Sequence, residues 1–344
     1  MLDLTNLKKY LIYKMKIYKV GLFGAGNIFS KHFEIFKKNK KFSLASIYDR
    51  KIEKISKSRL YDNEKNILKK KDIDIITVLS PSGFHFKQTK KILTSKKHAI
   101  VEKPLALKID HIKEIIQLEK KHKKKVFVVF QHRLNPAVIK LKKFLKENKL
   151  GKVFLISSKL YWCRNQSYYK NNWRGSWKQD GGVVTNQGIH NIDLITTIFG
   201  GFQKLFARSN TISKLIETED VCVVSGILKN NIICNMEFTT AARPENLENS
   251  IIVLGDKGYF KISGKNLDQY SNNFEKKLKK INIKNLHKEF YENLYQTLSK
   301  KTKNNFSASS SMKSLETIVA IYQSLKCKRE IKFPLKKLKI KLGS

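Results

Sequence analysis

The chain has little cysteine, and what it has is dispersed. Its four cysteines, Cys163, Cys222, Cys234 and Cys327, form no CxxC pair and no zinc spacing. That pattern argues against a disulfide scaffold, a redox pair or a structural zinc, and no metal is expected. Reduced thiols in a cytoplasmic protein are the expectation. No apolar run reaches the roughly 18–20 residues that cross a bilayer, so no membrane partner is expected. The opening residues 1–14 lack a signal peptide's basic start, long apolar stretch and small-residue cleavage site. They read as an extension, either an amphipathic helix or an untranslated leader ahead of Met15, and the second reading is favoured. Acidic residues are scarce as well: 28, against 70 lysines and arginines, for a formal net charge of +42. Such an excess raises nucleic acid as a partner. Against it, the excess is nearly all lysine and falls on almost every expected surface helix. Arginine, which reads bases and phosphates bidentately, is scarce. We read the charge as a solvated lysine surface with no specific nucleic-acid partner, although it attracts anionic ligands.

What remains is a two-domain pattern. The 344 residues, 41% of them hydrophobic, exceed one compact domain. Apolar strands at 17–23, 42–48, 73–79, 99–101 and 126–130 alternate with helical patterns near 84–97 and 110–123. That alternation predicts a parallel sheet covered by helices on both faces, an α/β Rossmann domain over 15–134. From 135 to 344 the pattern changes. A helix at 136–147 precedes strands at 153–161, 221–228, 232–239, 251–254 and 259–262. A helix at 184–199 interrupts the strands, and helices at 286–300 and 312–326 follow them. The second domain is therefore expected to be α+β, built on an open, mostly antiparallel sheet, for substrate binding and oligomerisation. Asn230-Asn231 marks a hairpin, and the polar, lysine-rich stretch 265–284 reads as a loop.

Strand β-turn-helix context gives the glycine motif its weight. Gly24 and Gly26, followed by Asn27 and Ile28, occupy the turn where backbone N–H groups meet a pyrophosphate. The third glycine position holds Phe29, which predicts looser helix–strand packing. Asp49 ends the second strand 23 residues after Gly26, close to where an acid holds the adenosine ribose. A carboxylate there favours NAD, while the adjacent Arg50 leaves NADP open. Ser80 begins the Ser-Pro-Ser-Gly turn that leads to His85. Glu102-Lys103-Pro104 follows a short strand at the sheet's carboxyl edge, where ligands bind in such folds. A lysine there can orient a substrate hydroxyl or share its proton. On a helix through 184–199, Asn186, His190 and Asp193 fall at i, i+4 and i+7 and share one face. A histidine on that face suits proton transfer. Trp173, Arg174 and Trp177 are placed in the cofactor or substrate cleft.

Taken together, VGLFGAGNI, the Asp49 strand end, SPSGFH, EKP and GIHNID resemble the glucose–fructose oxidoreductase/inositol dehydrogenase (Gfo/Idh/MocA) family over roughly 16–334. The resemblance implies a Rossmann domain followed by an open-sheet domain that mediates homodimers or homotetramers. It makes Lys103 and His190 the catalytic pair, with Asn186, Asp193 and Arg174 on the substrate. Gln131 joins Glu102, His85, Trp173 and Trp177 around the NAD. Many members have aspartate where this chain has Asn186. That departure, with QHRLNPAV, YYKNNWRGSWKQDGG, NQGIHNIDL and FTTAARPENLE, is similar to WbpB/WlbA-type dehydrogenases of UDP-N-acetyl-2-amino-2-deoxyglucuronate. They oxidise a nucleotide-sugar C3 hydroxyl on the way to surface polysaccharides. Rival expectations are a cyclitol or free-sugar dehydrogenase of the same family, and a non-catalytic NAD-binding regulator. Which of Lys103 and His190 is the base stays open at this point.

Overall fold

The computed structural model describes residues 16–50, 60–170, 173–275 and 277–344; the 1–14 extension lies outside them. Strand β1 (Tyr18–Phe23) is buried on both faces except at Lys19, as a strand sandwiched between helix layers must be. It pairs in parallel with β2 (Phe42–Tyr48) and β3 (Ile75–Val78). Strands β4 (His98–Val101) and β5 (Val126–Val128) complete a parallel sheet of order β2-β1-β3-β4-β5. The crossovers run through α1 (Phe29–Lys38), α2 (Glu64–Lys69), α3 (Ser82–Thr94) and α4 (Ile109–His122). The order reverses between β1 and β3. A crevice therefore opens above their carboxyl ends, which carry Gly24 and Ser80.

Helix α5 (Pro136–Lys146) leaves this half, and a short α6 (Gln166–Tyr169) comes later in the chain. Helix α5 is started by Asn135, whose side chain accepts the Ala137 N–H at 2.8 Å, and by Pro136 at its first turn. The second sheet has nine strands among the described residues, in the order β13-β12-β11-β10-β6-β9-β8-β7-β14. They are β6 (Val153–Tyr161), β7 (Phe202–Asn210), β8 (Val221–Leu228), β9 (Ile233–Thr239), β10 (Glu248–Gly255), β11 (Gly258–Ser263), β12 (Gln269–Asn272), β13 (Lys279–Lys280) and β14 (Ile331–Lys332). Every pairing is antiparallel except β6 with β9. The β8–β9 hairpin turns at Asn230 and Asn231, both left-handed with φ of 63° and 59°, a conformation that asparagine tolerates. Cys222, Val224, Cys234, Met236 and Phe238 point inward, where α7 (Ile189–Phe199) and α9 (Met312–Cys327) pack. Phe154, Val223, Ile233 and Tyr259 stand exposed.

Two expectations need correction. The 265–284 stretch is not all loop, because β12 and β13 extend the sheet edge there. In β12 only Tyr270 is apolar enough to signal a strand, and its ring stacks on Phe260 at 5.5 Å. Second, the helix expected over 184–199 is a π-turn, Val184–Gly188, followed by α7. The two halves also pack on one another. Helix α8 (Leu286–Ser299) returns to α1, where the Tyr291 ring meets Phe36 and Phe42 at 5.0 and 5.5 Å. Further on, the Val128 N–H donates to the Phe306 carbonyl at 2.7 Å.

Candidate active site

The crevice is built first from backbone. Gly24 has φ of 101° and a Cβ there would lie 2.8 Å from Leu79 C and Ser80 N, so only glycine lets β1 turn beside β3. A Cβ on Gly26 would meet nothing within 4 Å, which leaves that backbone open to the cleft. The Ala25 N–H donates to Asp49 Oδ2 at 2.6 Å, which locks the end of β2 to the turn. Phe29, in the third glycine's place, is half-buried against the core and stacks on Phe33 at 5.3 Å. A cleft of about 870 Å³ opens here, lined by Gly24, Gly26, Asn27, Ile28, Asp49, Arg50, Ser80, His85, Glu102, Lys103, Trp173, Arg174 and Asn186. It is large enough for a dinucleotide, with an open glycine turn at one wall and a carboxylate at the strand end. The residues present therefore fit NAD. Arg50 holds its guanidinium 5.4 Å over the Phe84 ring at the rim.

The second half closes the other side. Lys103 Nζ donates to the Asn186 carbonyl at 2.6 Å. Asn186 lies in the π-turn, whose wider i→i+5 spacing displaces carbonyls from the regular ladder. Burial pulls the Lys103 amine below its ordinary range, while Glu102 and Asp180 push it back up. Asn186 Nδ2 donates to Asp180 Oδ1 at 2.7 Å. His190 sits at the start of α7, half-buried and not among the residues that line the cleft, with its ring edge-to-face against His132 at 4.9 Å. Burial and the neighbouring Lys103 charge hold it well below the usual histidine range, so it is a neutral base at neutral pH. His190 Nδ1 and His132 Nδ1 are both buried without a hydrogen-bond partner among the described residues.

Several residues expected at the site stand elsewhere. Asp193 is 1% exposed and does not face the cleft. Arg133 Nε and Nη2 grip its two oxygens at 2.7 and 2.6 Å, and Ser314 Oγ donates to it at 2.8 Å. An isosteric face running from Asn186 to Asp193 required continuous α-helix, and the π-turn breaks that register. Trp177 packs on Tyr322 at 5.3 Å and against the core instead of lining the cleft. Gln131 lies in the 3₁₀ turn after β5, outside the cleft wall, with Oε1 buried and unpartnered among the described residues. His85 reaches the wall, but its nitrogens lie 2.7 Å from the Pro104 and Ser80 carbonyls, so its ring braces the two strand ends. Tyr168 was missed: it lines the cleft under the Arg174 guanidinium, 4.3 Å from its ring. Arg133 and Asp180 were missed too. An arginine in a lysine-rich chain was a usable signal for Arg133.

One further cluster borders the cleft. His32 Nε2 lies 3.1 Å from Glu102 Oε1, and His287 Nε2 lies 4.0 Å from the same oxygen. His32 Nδ1 meets the Tyr291 hydroxyl at 2.8 Å. Both nitrogens of His32 thus have protein partners, and the set fixes Glu102 at the edge of the cleft. Against the burial that opposes it, the His32 hydrogen bond and the surrounding positive charge bring Glu102 down to about 2.

Comparison with known proteins agrees with this architecture. Residues 18–130 match the NAD-binding Rossmann fold of the Gfo/Idh/MocA oxidoreductase family, and residues 142–333 match that family's C-terminal alpha/beta domain. The chain belongs to this family and is an NAD(P)-dependent oxidoreductase with NAD as its cofactor. Among solved structures it is similar to the WlbA dehydrogenase of Bordetella pertussis, seen with NADH and UDP-GlcNAcA. That match has 26% identity and a TM-score of 0.85, and it covers 93% of this chain and all of that one. The WlbA dehydrogenase of Chromobacterium violaceum, in complex with the same two molecules, is 27% identical with a TM-score of 0.84, over 94% and 98% of the two chains. Glucose-6-phosphate 3-dehydrogenase of Bacillus subtilis is 26% identical over 71% of this chain and 73% of its own.

Proposed function

We propose that this protein oxidises the C3 hydroxyl of a nucleotide-sugar acid of the UDP-N-acetylglucosaminuronate kind, in the making of surface polysaccharide. The observation that carries the reading is the meeting of Lys103 with the Asn186 carbonyl. It joins the sheet edge of the dinucleotide half to the π-turn ahead of His190. NAD, when bound, supplies the hydride acceptor. Lys103 holds the substrate hydroxyl and stabilises the charge that develops on its oxygen. His190, neutral in the folded chain, takes the hydroxyl proton. Arg174 and Tyr168, with cation over ring, form the outer wall that receives the anionic part of the substrate. The two WlbA dehydrogenases support the choice of substrate class, since they match nearly full length and their complexes hold UDP-GlcNAcA with NADH.

The exposed apolar residues Val223, Ile233 and Tyr259 alternate with the buried Cys222, Val224, Cys234 and Phe260 and so lie on the uncovered face of the nine-stranded sheet. We assign that face to self-association into a homodimer or homotetramer.

The test mixes purified protein with NAD and UDP-N-acetylglucosaminuronic acid, with and without 2-oxoglutarate. It follows absorbance at 340 nm and the mass of the sugar. A 3-keto product is expected, together with a loss of roughly 10²-fold or more in turnover for Lys103→Met and for His190→Asn. Turnover of glucose 6-phosphate in place of the UDP-sugar, or near-wild-type rates in both variants, overturns the reading.

A further inference from the structure

The segment from Trp173 to Asp180 meets the dinucleotide half backbone to backbone. The Gly83 N–H, in the first turn of α3, donates to the Gln179 carbonyl at 3.0 Å. A Cβ on Gly83 would lie 2.7 Å from the Lys178 carbonyl oxygen, so the two backbones are in direct contact. The segment closes on itself, with the Asp180 and Gly181 N–H groups both reaching the Ser176 carbonyl, at 3.1 and 2.9 Å. Asp180 at its end is 3% exposed. Its Oδ2 accepts the Gly175 N–H at 2.8 Å and its Oδ1 accepts Asn186 Nδ2 at 2.7 Å. The carbonyl of that same Asn186 accepts Lys103 Nζ at 2.6 Å. One residue of the π-turn is therefore held at both ends, by a buried carboxylate at its side chain and by the cleft lysine at its backbone.

We infer that Asp180 is a positioning residue for Lys103: through Asn186 it fixes the carbonyl that aims the ammonium, and it gives that ammonium a buried negative charge from the second half of the molecule. Asp180 touches neither substrate nor cofactor directly. Lys103 sees Glu102 beside it in the chain, Asp180 and Arg174 across the cleft, and the His190 and His132 rings. Asp180 in turn faces Lys103 and Arg174, with Glu219 and Tyr169 behind it. Burial raises Asp180 to about 6, even though its two hydrogen bonds and the two cations pull the other way. Above that pH the carboxylate is charged and opposes the burial that lowers the lysine. Removing its charge lets the lysine lose its proton at lower pH.

The inference rests on the reading of Lys103 given above, so its test needs no substrate. The protein is acetylated with acetic anhydride over a pH series, and the Lys103 peptide is quantified by mass spectrometry, which gives the midpoint at which the amine becomes neutral. Asp180→Asn keeps the size and removes the charge; its Oδ1 can still accept the Gly175 N–H, while its Nδ2 donates to Asn186 Oδ1 once that amide turns over. We expect its Lys103 midpoint to fall by about one pH unit, a tenfold rise in neutral amine at fixed pH. The exchanged pair Asp180→Asn with Asn186→Asp returns the carboxylate to the same contact and is expected to restore the wild-type midpoint. A purely structural role for Asp180 leaves the midpoint where it is, and an unchanged midpoint in Asp180→Asn overturns the proposal. So does an exchanged pair that stays displaced. If the nucleotide-sugar reading fails, no form turns over that substrate, yet the midpoint shift is still read.

Discussion

Replacing Asp193 by asparagine separates a structural acid from one that binds substrate. In the fold, Asp193 and Arg133 have side chains only 2% and 5% exposed. Their bidentate contact is extended by Arg133 Nη1 to the Asn305 carbonyl and Ser310 Oγ, at 2.6 and 2.9 Å. Asn is isosteric, so Asp193→Asn leaves a buried guanidinium with only neutral partners and no counter-charge. Breaking one side of a buried pair costs about 3–5 kcal/mol. At about 2.1 cal/mol/K per residue, the unfolding entropy of a 344-residue chain is about 0.7 kcal/mol/K. The melting temperature should therefore drop by about 4–7 °C. Thermal melts followed by circular dichroism, with steady-state kinetics at 20 °C on the same preparation, give both readouts. A lower melting temperature with KM within about twofold of wild type is expected. A melting temperature that does not move, with KM raised tenfold or more, would refute the reasoning and return Asp193 to the substrate.

Two other expectations follow from charge and from the open sheet. Glu102 titrates at about 2 when folded and near 4.5 in a model chain, so its ion pairing stabilises fully above 4.5 and is lost as pH falls toward 2. Urea midpoints of wild type and Glu102→Gln should be well separated at pH 6 and converge toward pH 3, and a constant gap would count against that pairing. For assembly, sedimentation should find a species of at least twice the 40.0 kDa chain mass. Val223→Asp together with Ile233→Asp should shift it to the monomer, and a wild type that sediments as a single chain removes the sheet face as an interface.

Local signals in the sequence carried the dinucleotide half well. Gly24, Gly26 and Asp49 belong to adjoining elements, and the turn demanded by a φ of 101° leaves a plain mark in residue type. Lys103 was legible for the same reason, since a strand end puts the next residue at the ligand edge. The second half resisted because its contacts are remote. Arg133 and Asp193 are 60 residues apart, and Val128 and Phe306 are further apart still. Hydrophobic periodicity also cannot tell a π-turn from an α-turn over five residues. Asn186, in the π-turn, stays at Lys103, while Asp193, on the regular helix after it, is taken up by Arg133 and Ser314. Strand β7 went unseen among its lysine and arginine neighbours, and β12 because it is mostly polar. Edge strands need only one inward ring, here Tyr270, to belong to a sheet.

The return of the C-terminal segment to the first half has a consequence for synthesis. When the ribosome has made residues through Val128, the β5 edge lacks the partner that Phe306 will supply, and the Phe36–Phe42 surface lacks Tyr291. The dinucleotide half emerges first but leaves the ribosome with an unpaired backbone edge and a bare aromatic face. It stays adhesive until nearly the whole chain has been translated. For this protein, slowing translation after residue 130 should favour aggregation of the nascent chain rather than give the first half time to finish.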